Sequence, residues 1–174
     1  MKKFLADYYD NTRQYYGTYH NHKEISAWAG LALYVLFCGF VVRAEVPSNV
    51  QLLATTCITI AVVVAAWFVF RYVENQLAMK DQGGALAGAA AFLLAEILRT
   101  DESKLKPDDY LVVVESPDTT PQSKHVLPDR LLQKAAVLNT RARGFQDRTK
   151  WMIYGLLALS TVSFIGLKWI AFMG

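Results

Sequence analysis

Three long stretches of this chain, residues 25–42, 50–70 and 151–167, contain no Asp, Glu, Lys or Arg. A proton-coupled pump or transporter needs an ionisable group inside its membrane segment, and so does acid–base catalysis there. The absence of any such group argues against both. Cysteine is scarce as well: only Cys38 and Cys57, both inside these stretches, so no disulfide framework and no C-x-x-C redox motif is available. Other motifs that carry chemistry are missing too, namely the phosphate-binding G-x-x-x-x-G-K-[ST], the zinc-binding H-E-x-x-H and the G-x-S-x-G nucleophile turn. No basic tip followed by an apolar core opens the chain, so no cleavable signal peptide is expected and the first apolar run must drive insertion.

What the chain has instead is grease in blocks. Its 174 residues are 53% hydrophobic, and the apolar residues are gathered into unbroken runs rather than alternating with polar ones. Each run approaches the ~20 residues a helix needs to cross a bilayer core of ~30 Å. The expectation is an all-α membrane protein with three transmembrane helices, an N-terminal amphipathic helix and a cytoplasmic helical portion. The segments are residues 1–24, a transmembrane hairpin at 25–70, a cytoplasmic region at 71–150 with a loop at 101–127, and a third span at 151–174.

Orientation follows from Lys and Arg. Residues 1–24 hold four, residues 71–150 hold twelve, and the link between the first two runs holds only Arg43. Basic flanks stay in the cytoplasm. The N-terminus and middle segment are therefore expected inside and the C-terminus outside, in a cell inner membrane. Lys168, near the outer end of the third run, is expected to snorkel to the headgroups. The net charge of +3 does not call for nucleic acid as a partner.

Residues 1–24 place Phe4, Tyr8, Tyr15 and Tyr19 close to one helical face, which suits either a membrane interface or a helix bundle. Residues 71–82 extend the second run into the cytoplasm, where Gly83 and Gly84 offer a break or bend. Gly84 and Gly88 form a G-x-x-x-G pair fit for close helix packing or oligomerisation. Residues 83–98 read as a buried bundle helix or as a re-entrant segment. Pro107, Pro117 and Pro121 mark a loop, within which residues 110–114 read as a strand or an extended loop. Residues 129–150 return to helix and run toward the third span with a flexure at Gly144. Arg141, Arg143, Arg148 and Lys150 are candidates for lipid headgroups or a partner.

Candidate chemistry is thin. His20, His22 and Glu24 are ligand types, but His20 and His22 point about 200° apart on a helix and cannot share an ion. His20 and Glu24 make only two ligands, short of the three or four of a zinc site unless His125 of the loop approaches as a third. No metal, cofactor or catalytic residue is expected. Ser26, Thr55, Thr56, Thr59, Ser160, Thr161 and Ser163 are the hydroxyls within the runs. Of these, Thr55, Thr56 and Thr59 are the pore-lining candidates, though they do not share one face.

The arrangement Tyr15-Tyr16, His22-Lys23-Glu24, Trp28, Tyr34, leading from an aromatic helix into a two-span hairpin and cytoplasmic helices, resembles the SLATT families over residues 1–100. These are small bacterial membrane proteins associated with nucleotide-sensing defence systems and predicted to act as pore-forming effectors. The third span departs from that layout. The resemblance implies a pore-forming effector. Three spans enclose no cavity alone, so conduction needs several copies, and the expectation is a homo-oligomeric channel or pore-like effector gated by its cytoplasmic region, with a cytoplasmic protein partner or small-molecule signal. The other reading is a non-catalytic membrane anchor or scaffold that recruits a cytoplasmic partner.

Overall fold

The computed structural model describes residues 1–45, 47, 50–111, 127–142 and 148–173, with backbone alone at 140–142. Four α-helices make up nearly all of it: α1 (Lys2–Arg43), α2 (Gln51–Arg99), α3 (Asp129–Ala142) and α4 (Arg148–Met173). Two 3₁₀ turns, Glu102–Lys104 and Pro107–Asp109, follow α2. There is no strand among the described residues. Tyr110 and Leu111, which open the sequence-predicted strand, follow the second turn; the rest of that segment, His125, Arg143 and Gly144 lie outside the described residues.

The helices follow from composition and punctuation. α1 and α2 contain no proline, and Pro47 falls in the link between them. α2 stops at Arg99, where Thr100 turns both its backbone N–H (3.0 Å) and its hydroxyl (2.8 Å) onto the Glu96 carbonyl. Pro128 precedes α3 and Asp129 occupies its first turn, where a negative charge meets the positive end of the helix dipole. Gly83 and Gly84 do not break α2, which runs unbroken for 49 residues, about 74 Å of helix. A re-entrant segment reverses the chain, so residues 83–98 form none.

The chain divides into two compact units, and α1 and α2 each contribute to both. The first unit comprises residues 1–22 and 79–146. Its core gathers Leu5 and Tyr9 of α1, Ala89, Ala90, Leu93 and Ile97 of α2, Leu105 and Tyr110 of the turns, and Leu131 and Ala135 of α3. Leu5 and Tyr9 on α1, Ala89, Leu93 and Ile97 on α2, and Leu131 and Ala135 on α3 each recur every four residues, and the opposite faces of α1 and α3 carry Lys3, Asp7, Asn11 and Gln133 in solvent. This is the pattern of an amphipathic bundle.

The second unit comprises residues 23–78 and 147–174. Ala27, Leu31, Tyr34 and Cys38 of α1 meet Val62, Val73 and Leu77 of α2 and Ile153 and Leu157 of α4. Its outside is greasy as well: Leu33, Phe40, Leu53, Phe68, Val162 and Ile170 are all exposed, as is Cys57. In the most apolar 18-residue window of each long helix, only 22%, 11% and 11% is buried. Water does not tolerate a continuous apolar exterior of this kind. α1, α2 and α4 are long and apolar enough to span a membrane.

Candidate functional site

In the second unit the hydroxyls are bonded across and along the helices. Thr161 donates to the Leu157 carbonyl at 2.7 Å, so its oxygen is left to accept the Tyr34 phenol proton, also at 2.7 Å. Thr59 donates to the Thr55 carbonyl (2.8 Å) and accepts from the Trp169 indole N–H (3.1 Å). These pairs tie α4 to both other helices with apolar side chains all round. Hydrogen bonds of this type between membrane helices contribute about 0.6 kcal/mol each.

The three threonines singled out by sequence part company. Thr55 is buried inside the unit, Thr59 is half-buried against α4, and Thr56 faces outward with its hydroxyl bonded back to the Leu52 carbonyl at 2.9 Å. They form no common stripe within one chain. Lys168 also departs from expectation. It is buried, and its Nζ donates to the Ala44 carbonyl (2.7 Å) and approaches the Val42 carbonyl (3.4 Å) instead of reaching outward.

Of the basic candidates, Arg148 is exposed and Lys150 sits 5.7 Å from the centroid of the Tyr154 ring. Thr149, between them, directs its hydroxyl to Glu24 at 3.5 Å. Arg141 belongs to the last turn of α3, its side chain outside the described residues. Two buried polar atoms of this unit, Gln76 Oε1 and Tyr154 Oη, have no hydrogen-bond partner among the described residues.

In the first unit the glycines serve close approach. A Cβ on Gly83 would fall 2.9 Å from Tyr19 Cδ1, and one on Gly84 would fall 2.9 Å from His20 Nδ1. Gly88 faces Leu138 of α3, with a Cβ there at 3.4 Å. Both residues of the G-x-x-x-G pair therefore face neighbours within the same chain. His20 cannot swing aside freely, because Nδ1 lies 2.9 Å from the Lys80 carbonyl. A carbonyl only accepts, so Nδ1 carries the proton. Among the described residues no three His, Cys, Asp or Glu side chains are grouped to hold a metal ion.

A network unannounced by sequence joins the turns to the bundle. Glu96 Oε1 accepts from Arg130 and from the Tyr110 hydroxyl (3.1 Å). The Arg130 guanidinium lies 4.6 Å from the Tyr110 ring centroid, a cation–π stack, and the Tyr110 carbonyl accepts the Tyr9 hydroxyl at 2.8 Å. Burial pushes the Tyr9 phenol pKa well above its ordinary value, with Tyr8 adding to the effect. Tyr110 is raised by burial too, and then by its hydrogen bond to Glu96. Glu96 and Arg130 are 34 residues apart, too far for helical or hairpin periodicity to pair them.

Beside this network is an open cavity of about 450 Å³ lined by Asp108, Asp109, Asp129, Arg130 and Gln133. It offers carboxylates, an amide and a guanidinium already committed to Glu96. Among the described residues its lining contains no Ser, Cys or Lys. Comparison with family models, with curated proteins and with solved structures yields no match to this chain.

Proposed function

We propose that this chain is a multi-pass inner-membrane protein that works as a homo-oligomer, forming a channel or pore-like effector whose cytoplasmic bundle gates the spans. The observation that carries the reading is the inside-out second unit, with apolar side chains on its exterior and hydroxyls bonded between helices in its interior. Both α1 and α2 contribute residues to each unit, which supports a bundle that acts on the spans. Three spans are too few to enclose a conduction path, and conduction then runs between copies. Thr56 is the outward-facing member of the threonine set, which supports it as the lining candidate of the three. The N-terminus and bundle lie inside and the C-terminus outside, by the distribution of Lys and Arg.

A second reading, a non-catalytic anchor or scaffold that displays the bundle to a cytoplasmic partner, is favoured by one observation. Thr55 and Thr59 are used up inside the protomer and leave little polar surface for a pore.

Mass determination in detergent followed by ion flux in liposomes separates the two. A channel gives a multimer whose flux changes with Thr56→Asp. A monomer without flux under any gating condition rejects the channel. Thr59→Asp is expected to impair assembly instead, because it sets a carboxylate against α4 in an apolar interior and removes the hydroxyl donor to the Thr55 carbonyl.

A further inference from the structure

The three uncharged runs look equivalent in sequence, but packing does not set them level. Contacts within the second unit fix the register. Gly30 of α1 lies against Tyr72 and Val73 of α2, and Phe70 lies against Tyr154 of α4, ring centroids 4.9 Å apart. Toward the other end, Lys168 reaches Ala44 while its neighbour Trp169 reaches Thr59, so Ala44 and Thr59 share a level. α2 is therefore shifted along its neighbours. Where α1 is still apolar, at Ile25 to Gly30, α2 already presents Arg71, Glu74, Asn75 and Gln76. Where α2 is still apolar, at Leu52 and Leu53, α1 has ended in Arg43 and Glu45.

These charges face outward. Arg71 and Glu74, paired at 2.7 Å, have side chains 61% and 42% exposed, and Arg43 and Glu45 are exposed as well. Only the interval between the two charged levels, from about Thr59 to Arg71 on α2, is uncharged on all three helices. That is about 12 residues, or roughly 18 Å at 1.5 Å per residue, against a hydrocarbon core of ~30 Å. Tilting does not close the gap, because tilt shortens the projection of a belt on the membrane normal. Snorkelling recovers part of it through Arg43 and Arg71, but the shorter Glu45 and Glu74 side chains stand at the same levels. Exposed apolar groups flank both charged levels: Leu52, Leu53, Ile170 and Met173 at one end, Ile25, Trp151 and Met152 at the other. No flat bilayer surface satisfies both sets.

Resting on the membrane reading above, we propose that the second unit pinches the bilayer alongside the α1–α2 hairpin. Headgroups and water are drawn in to Arg71–Glu74 from one side and to Arg43–Glu45 from the other. The partner fitted by this surface is a thinned lipid bilayer, since a short hydrophobic belt is accommodated by local thinning.

The test is reconstitution of the full chain into phosphatidylcholine vesicles with acyl chains from 14:1 to 22:1, scoring the fraction incorporated and the thermal midpoint of helix loss. Pinching predicts a maximum in 14:1 vesicles and at least a twofold fall in incorporation by 22:1. The double change Arg71→Leu with Glu74→Leu moves the maximum to longer chains, and Arg43→Leu with Glu45→Leu does the same from the opposite end if the first variant fails to fold. A wild-type maximum at 18:1 to 20:1, or one unmoved by either double change, overturns the pinch and leaves the membrane reading standing. Absence of incorporation at every chain length overturns the membrane reading itself.

Discussion

The Lys168 ammonium, on α4, donates to the carbonyl oxygen of Ala44 at the far end of α1, 2.7 Å away. The last carbonyls of a helix have no partner within it, and α4 supplies one here. A charged donor is also the right sign for the negative end of the helix dipole.

Lys168→Met is therefore expected to destabilise the assembled unit by about 1.5–3 kcal/mol, the net worth of a hydrogen bond made by a charged donor. Lys168→Arg, which keeps the charge and donors, is expected to lose less. Thermal unfolding in detergent checks this, and equal midpoints for wild type and the methionine variant would contradict the cap.

The glycines give a paired prediction. Gly84→Ala drives a methyl to 2.9 Å from a His20 ring nitrogen that is held by the Lys80 carbonyl, so α1 and α2 must part or that bond must break. A loss of about 1–2 kcal/mol is expected. Gly17→Ala, with nothing within 4 Å of the new carbon, is expected to gain up to about 1 kcal/mol from helix propensity alone. Opposite shifts in thermal midpoint are the outcome to look for.

Arg130→Ala removes the Glu96 ion pair and the stack on Tyr110 together. Both partners are partly exposed, which limits the loss to about 1–2 kcal/mol. Arg130→Lys is expected to recover only part, since a lysine offers no planar face to the ring. Protease sensitivity around residues 105–111 should rise in step, because this network and Tyr9 hold that segment to the bundle.

The tyrosines set an alkaline limit. Burial raises the phenol pKa of Tyr8, Tyr9, Tyr16 and Tyr110 in the folded chain. A phenol is neutral when protonated, so a raised folded value means that the fold favours the proton. Their contribution is complete below the unfolded value of about 10 and is lost as pH climbs through the folded values. The first unit is expected to melt progressively above about pH 10. Tyr9→Phe should flatten that decline while costing about 1 kcal/mol at neutral pH for the lost bond to the Tyr110 carbonyl. Tyrosinate absorbance followed alongside circular dichroism measures both.

Much of the architecture was legible because hydrophobic length and helical spacing are local properties. The three apolar helices, the helix beginning at Asp129 and the bundle face through Leu131 and Ala135 could all be read from neighbouring residues. Gly83 and Gly84 were visible as special positions, but glycine serves equally as a breaker and as a point of close approach, and only the placement of Tyr19 and His20 decides. The Glu96–Arg130–Tyr110 network was illegible, since it joins residues distant in sequence through no periodic pattern. The slip of α2 along α1 and α4 was hidden for a different reason. Uniformly apolar helices carry no marks of register, so the charges that end each run appear to line up until Gly30 is seen against Tyr72.

Cys38 is buried and Cys57 is exposed. The native chain therefore presents a single reachable thiol, two positions from Thr59, and a nitroxide or fluorophore attached there needs no prior cysteine removal. Read against quenchers placed at graded depths in the lipid tails, that one probe becomes a ruler for the leaflet dip proposed above.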